Sequence, residues 1–405
     1  MLYSVHQFQQ AAAVPLHLAS LAGQLVLRNP FNPIAHTEFG RRAAAACELI
    51  DYATRRHTKP RFGLTHVDTD KGPVPISEKV VAEEPFCRLL HFAREGSDAL
   101  PRLLIVAPLS GHFATLLRGT VEALLPAHDV YITDWQDARD VPVSKGRFNL
   151  DDYIDYVIDF LRLLGPRAHV MAVCQPSVPV LAAASLMAAD NDPARPRTMT
   201  LMGGPIDTRV NPTAPNLLAQ SRPLSWFEAN VITSVPPTYP GFLRRVYPGF
   251  LQLTGFMTMN LERHMTAHMQ LYDHLVEGDG DSVAAHRKFY DEYLAVMDLS
   301  AEYYLQTVRM VFQEHALPEG TFTWRGQRVD PGAISDIALT TIEGELDDIS
   351  GLGQTRAAHD LCRNLPAGLK QHHEQAGTGH YGIFNGRRWR TEIMPKVREV
   401  IHAHA

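Results

Sequence analysis

The stretch at residues 168–188, AHVMAVCQPSVPVLAAASLMA, constrains this chain more than any other. An apolar run at 170–173 leads straight into Cys174; Gln175 and Pro176 follow, and then an alanine-rich run at 180–189. The pattern predicts a buried strand, a sharp turn and a helix, with a nucleophile-capable thiol at the turn. Proline suits the first turn of a helix, where its missing N–H would be unpaired anyway. A side chain at such a turn stands at the carboxyl edge of a parallel sheet. The helix that follows aims its free N–H groups and positive dipole end at the same spot, which favours a thiolate. The backbone N–H of Gln175 is then placed to form half of an oxyanion hole. On local sequence alone, Cys174 reads equally well as a buried structural cysteine, a common fate of this residue.

The surroundings of this stretch read as an alternating chain. Residues 74–81 (VPISEKVV) and 86–92 (FCRLLHF) are expected as edge strands, 102–107 (RLLIVA) as a fully buried strand and 129–135 (DVYITDW) as the next. Helices are expected at 113–125 and 151–164, and a further strand at 197–203. The alternation predicts an α/β fold with a doubly wound, mostly parallel sheet. From 207 to 335 no buried strand is evident, and helical periodicity runs over 216–230, 250–276 and 283–312. This interval reads as a helical cap inserted into the sheet domain. The sheet pattern returns at 337–342 (IALTTI) and 371–375, and a helix at 389–402 closes the chain. The expected organisation is an N-terminal helical extension at 1–64, core at 65–206, cap at 207–335 and core again at 336–405.

Composition limits the function classes. A net charge of −6 over 405 residues gives no support to nucleic-acid binding. The four cysteines, Cys47, Cys87, Cys174 and Cys362, are scattered without a C-x-x-C pair, which speaks against a disulfide framework or a structural zinc site. His264 and His268 are spaced like metal ligands on a helix, but the HExxH glutamate is absent, so no metal is expected. The N-terminal segment has no basic residue before Arg28, and Gln7, Gln9, Gln10 and His17 interrupt its apolar run. It reads neither as a signal peptide nor as a membrane span, and the expected location is cytoplasmic. The segment is either a helical arm packed on the core or a docking surface for a hydrophobic partner.

The late part of the chain supplies partners for Cys174. Asp347 or Asp348 follows the strand at 337–342, where a carboxylate can orient an imidazole and stabilise its protonated form. His380 lies between glycines in G-T-G-H-Y-G, where the backbone can set the ring in a cleft. It would take the thiol proton and return one to a leaving alcohol. Ser110 and Gly111, after the strand at 102–107, stand where a second oxyanion donor belongs, with His112 beside them. Nucleophile at an elbow, acid after a late strand and histidine in a late loop is the α/β-hydrolase order. The elbow departs from G-x-S-x-G: Ala172 and Pro176 replace the glycines and cysteine replaces serine.

On A-V-C-Q-P-S-V-P-V-L-A-A, E-G-E-L-D-D-I and G-H-Y-G-I-F the chain resembles the intracellular polyhydroxybutyrate depolymerases. The resemblance also takes in the N-terminal M-L-Y and the loop A-P-L-S-G-H. It implies a triad of Cys174, Asp347 and His380 and a polymer substrate held in storage granules. The implied products are 3-hydroxybutyrate monomer or short oligomers, formed with no cofactor. The nearest confusable class, the polyhydroxyalkanoate synthases, has glycine two residues after the cysteine, where this chain has Pro176. Thiolysis to a coenzyme A ester, synthase-like acyl transfer and a non-catalytic granule-binding role stay open at this point, as does a homo-oligomer. The cap is expected to give the polymer apolar walls through Trp226, Phe227, Tyr239, Phe242, Tyr247 and Phe250.

Overall fold

The structure, a computed structural model, describes residues 2–70 and 72–405. Its largest sheet has nine strands: β1 (His66–Thr69), β2 (Gly72–Glu84), β3 (Cys87–Arg94), β4 (Arg102–Val106), β5 (Asp129–Trp135), β6 (His169–Val173), β7 (Thr198–Met202), β8 (Ala338–Gly344) and β9 (Lys370–Gln375). They lie in the order β1-β2-β3-β5-β4-β6-β7-β8-β9. The pairings of β1, β2, β3 and β5 are antiparallel, and all those from β5 to β9 are parallel. This is an α/β-hydrolase fold, with the antiparallel strands at one edge. The parallel strands β4, β6 and β7 are apolar because helices cover both faces. β6 is buried along its whole length and pairs with β4 and β7, so the residue after Val173 emerges at the middle of the sheet's carboxyl edge.

In chain order the principal helices are α1 (Leu2–Leu27), α2 (Glu38–Thr54), α3 (Arg118–Leu124), α4 (Leu150–Leu164), α5 (Ser177–Ala189), α6 (Ala214–Ser221), α7 (Leu224–Val231), α8 (Gly249–Met259), α9 (Leu261–Glu277), α10 (Gly280–Tyr293) and α11 (Ala301–Thr307). α4 starts on a capping box in which the Asn149 side chain accepts from the Asp152 N–H at 3.0 Å and the Asp152 carboxylate accepts from the Asn149 N–H at 2.8 Å. Its apolar face buries Tyr153, Val157 and Phe160. α5 is apolar all round and buried on every side, as a central helix must be.

The chain forms two compact units, one of Met1–Pro60 with Pro248–Val296 and the other of Arg61–Tyr247 with Met297–Ala405. The interval 207–335, expected as one cap, is therefore divided between them. Several expected helices are also broken. Pro223 separates α6 from α7, Asn260 ends α8, and 294–300 is non-helical between α10 and α11. Short strands that length alone hides from a hydropathy pattern also occur there: Thr233–Ser234, Arg245–Tyr247 and Leu299–Ser300 form one small sheet, and Thr323–Trp324 pairs with Gln327–Arg328.

The helical unit packs α1 on α2 and α2 on α9. Buried Glu48 ties it together through ion pairs with Arg28 and Arg287, and Asp291 accepts from the Tyr52 hydroxyl at 3.0 Å. His264, one of the two histidines at metal-like spacing, meets the Tyr290 hydroxyl at 2.9 Å and lies 3.3 Å from that of Tyr293. One stretch is more apolar than the sequence analysis allowed. α1 is 26 residues long and its most apolar 18-residue stretch has a mean hydropathy of 1.3, so by length and composition alone it is long and apolar enough to cross a membrane. It carries no Asp, Glu, Lys or Arg, the side chains most costly inside a bilayer.

Candidate active site

The elbow forms because three backbone contacts hold it. The Cys174 N–H donates to the Met202 carbonyl at the end of β7 (2.7 Å), and the Cys174 carbonyl accepts from the Ser177 N–H at 3.0 Å. Between these anchors Cys174 is forced to φ +69°, in the left-handed region that costs a non-glycine residue about 1–3 kcal/mol. The third contact turns the chain into α5, the Val178 N–H reaching the Gln175 carbonyl at 3.4 Å. The thiol stands half-buried at the first turn of α5.

His380 comes from the loop after β9, and Asp347 from the loop after β8. His380 Nδ1 and Asp347 Oδ2 are 2.7 Å apart, and both side chains are almost fully buried. The other carboxylate oxygen, Oδ1, accepts from the Ile349 and Ser350 N–H groups at 2.9 and 2.8 Å, so the acid cannot turn away. With Nδ1 engaged, Nε2 is left to meet Cys174. Burial pulls His380 down, but the Asp347 charge and the neighbouring Cys174, each adding a hydrogen bond, outweigh it and hold the imidazole well above its ordinary value. Of the two adjacent aspartates, Asp347 is the one that meets His380, and Asp348 is exposed.

Two glycines that sequence reading passed over make room for this arrangement. Gly203 has φ +55°, and a Cβ there would lie 2.8 Å from Ile383 Cδ1, 3.2 Å from His380 Cε1 and 3.3 Å from Asp347 Oδ2. A Cβ on Gly204 would lie 2.8 Å from the Cys174 carbonyl oxygen and would strike the Ser177 side chain. Glu343, in E-G-E-L-D-D-I, is buried and accepts from the Gly353, Thr355 and Arg356 N–H groups at 2.9, 2.7 and 3.1 Å. It thereby ties down the loop that carries Asp347.

The loop 108–112 follows β4. Tyr303 of α11, fully buried and in ring contact with Tyr153 and Phe148, donates its hydroxyl to the Leu109 carbonyl at 3.2 Å. The Met297 N–H donates to the Gly111 carbonyl at 2.8 Å. Because a trans peptide points N–H and C=O in opposite directions, these two bonds fix where the N–H groups of Ser110 and His112 point. Burial first, then the nearby Cys174, push the Tyr303 hydroxyl well above its ordinary value, so it stays protonated and donating. Gln175, Gly111 and His112 are buried, and Ser110 is half-buried. Tyr303 is a positioning residue that sequence reading missed.

The residues expected as polymer walls fall in different places. Phe227 is buried with Trp226 edge-on at 5.2 Å, which makes it a packing residue of its own segment. Tyr239 lies under the Arg139 guanidinium at 5.2 Å, and Tyr247 stacks on Tyr304 at 4.1 Å. Phe242 is exposed. Phe250 belongs to the helical unit, stacked on His6 at 4.1 Å with Tyr3 edge-on. Apart from Phe242, these rings pack on neighbouring side chains, which is why hydropathy alone could not separate wall from core.

A family model described as PHB de-polymerase C-terminus matches residues 203–405, half of the chain. The chain belongs to that family. The matched half takes in Gly203, Asp347 and His380, while Cys174 lies upstream of it. Membership supports an ester hydrolase. Among solved structures, the chain is similar to a soluble variant of monoglyceride lipase from Saccharomyces cerevisiae in complex with a substrate analog. That likeness has 11% identity and a TM-score of 0.47, over 82% of this chain and 99% of that one. It is also similar to a meta-cleavage product hydrolase from Pseudomonas fluorescens (16% identity, TM-score 0.44, 82% of this chain and 99% of that one). A thermophilic esterase from Thermogutta terrifontis shows 13% identity and a TM-score of 0.42 over 84% of this chain and 98% of that one. Comparison with curated proteins finds no match.

Proposed function

We propose that this depolymerase-family chain hydrolyses the ester bonds of an intracellular polyhydroxybutyrate store through Cys174, His380 and Asp347. The observation that carries the reading is the buried 2.7 Å contact between His380 and Asp347, with the same imidazole drawn upward by the Cys174 thiol. His380 takes the thiol proton as Sγ attacks the ester carbonyl carbon. The carbonyl oxygen becomes an oxyanion, held by the Gln175 N–H and a donor of the 108–112 loop. Collapse breaks the C–O bond, and His380 returns the proton to the leaving alcohol end of the polymer. Water, deprotonated by the same imidazole, then attacks the acyl-cysteine and frees a carboxylic acid and the thiol. Asp347 keeps the imidazole oriented and stabilises its protonated form throughout.

Incubation of the protein with amorphous polyhydroxybutyrate, with and without coenzyme A, followed by mass analysis, tests this reading. Free 3-hydroxybutyrate or its short acids are expected in both arms. Coenzyme A esters formed only in the second arm would replace hydrolysis by thiolysis. Polymer growth from hydroxyacyl-coenzyme A would replace it by synthesis. Absence of any ester cleavage would leave a granule-binding protein.

The role of Tyr303 has its own expected result. Tyr303→Phe removes the donor to Leu109 while keeping the ring in its aromatic cluster. It is expected to lower kcat about tenfold, by loosening an oxyanion donor whose full removal costs roughly 10²–10³. KM and the melting temperature should move little. A matched fall in stability and activity would make Tyr303 a packing residue only.

A further inference from the structure

α1 carries no Asp, Glu, Lys or Arg over its 26 residues. Phe8, Leu16, Leu18, Leu25 and Val26 on it, and Phe31 just after it, are all more than half exposed. The polar residues among its exposed positions are Ser4 and Gln9, both neutral. At 3.6 residues per turn, Leu25, Leu18, Phe8 and Leu16 spread over roughly 180° of the helix surface. The helix is pinned along its other flank to α2. His17 Nδ1 lies 3.0 Å from Asp51 Oδ1, and the Gln24 side chain donates to the Cys47 carbonyl at 3.4 Å.

Three kinds of partner bury so much apolar surface, and the chemistry separates them. A membrane-surface helix draws on Lys and Arg to meet anionic lipid; α1 has neither. A helix that crosses a bilayer would drag in α2, which bears Glu38, Arg41, Arg42, Glu48 and Asp51 and is held to α1 by the contacts just named. A single packed helix from a second copy covers a stripe of roughly 100° or somewhat more, less than the exposed arc of roughly 180°. An amorphous polyester fits. It is uncharged, it conforms to a convex surface, and its polar groups are ester carbonyls that only accept hydrogen bonds, as Ser4 and Gln9 donate them.

We infer that the uncharged, exposed face of α1, continued by Phe31, is the surface by which this protein adheres to its insoluble polyester, an inference that rests on the function proposed above. The face is on the helical unit, and the triad is on the sheet unit. Adhesion and chemistry are therefore separable by mutation.

The test uses the full chain and the triple variant F8Q/L18Q/L25Q, whose substitutions all fall at exposed positions. Three properties are measured: binding to amorphous polyhydroxybutyrate particles by sedimentation, hydrolysis of a water-soluble butyrate ester, and mass by sedimentation velocity. Circular dichroism and melting temperature verify that the variant is folded, and Leu18→Ala and Leu25→Ala alone serve as milder replacements if it is not. Affinity for the particles is expected to fall at least about tenfold, since each large apolar side chain contributes appreciably to burial. Soluble-ester turnover should be unchanged and the mass that of one chain in both proteins. Unchanged particle binding would overturn the inference. So would a wild-type dimer that the variant dissolves, or tighter binding to phosphatidylcholine or phosphatidylglycerol vesicles than to polymer. A wild type that adheres to particles but cleaves no ester would sink the proposed function instead and leave the adhesive face standing.

Discussion

Cys174→Ala is expected to abolish ester cleavage, with a loss of about 10⁴-fold or more in kcat, while the protein stays folded. The size follows from losing a nucleophile rather than a helper, since what remains is transition-state binding alone. Folding should survive because the thiol is half-buried and the elbow is held by backbone bonds to Met202 and Ser177 that alanine keeps. Alanine at φ +69° bears a strain similar to that of cysteine. Cys174→Ser should keep a trace, because a hydroxyl yields its proton to this imidazole far less readily. The other cysteines are the control. Cys87 and Cys362 are fully buried and so out of reach of a substrate, and burial pushes the Cys362 thiol up to about 12, which keeps it protonated at neutral pH. Their alanine variants should lose stability through small cavities and keep activity per folded molecule. Substantial turnover by Cys174→Ala, measured on a soluble ester with folding verified, would falsify the nucleophile assignment.

How much of this was legible in the sequence depends on how local each signal is. β6, the elbow and α5 are contiguous, and the run from 170 to 189 carries its own strand, turn and helix signals. Asp347 and His380 are distant, yet each sits in a short loop after a recognisable strand, so chain order sufficed to find them. The choice between Asp347 and Asp348 was not local in the same sense. It is made by the Ile349 and Ser350 amides, which anchor one carboxylate oxygen and turn the other toward His380. Tyr303 was not legible at all, because an aromatic residue in an apolar helical pattern reads as core. It does pack in the core, and its bond to Leu109 reaches a carbonyl 194 positions away. Gly203 likewise read as the end of the strand at 197–203, and Gly204 carried no signal of its own. Their reason is the space taken by His380, Asp347 and Ser177, which folding alone brings there. The division of 207–335 between two units was hidden because helical periodicity reports an apolar face and not what that face packs against.

Asp347→Asn is expected to cost roughly 10³–10⁴-fold in kcat, and Asp348→Asn very little. The asparagine keeps the shape and can still accept from Ile349 and Ser350 through its carbonyl oxygen. It then presents an amide NH₂ to His380 Nδ1 in place of a carboxylate. The ring is driven to the wrong tautomer, with Nε2 carrying the proton that it should be free to take. A second readout follows from the charge. In the wild type, burial lowers His380, and Asp347 and Cys174 more than restore it, so its folded value is raised above the unfolded one of about 6.5. A raised value means that the protonated ring stabilises the fold. That stability is fully present below about pH 6.5 and lost as pH rises through the folded value. Without the Asp347 charge and hydrogen bond the folded value falls, and the stability gained on protonating the ring shrinks. The gap in melting temperature between wild type and Asp347→Asn should therefore widen as pH falls from 8 toward 5.5, and the His380 imidazole resonances should titrate at lower pH in the variant. A gap independent of pH, together with an undiminished kcat, would move the acid away from Asp347. If Asp348→Asn instead carried both effects, the assignment would shift by one residue.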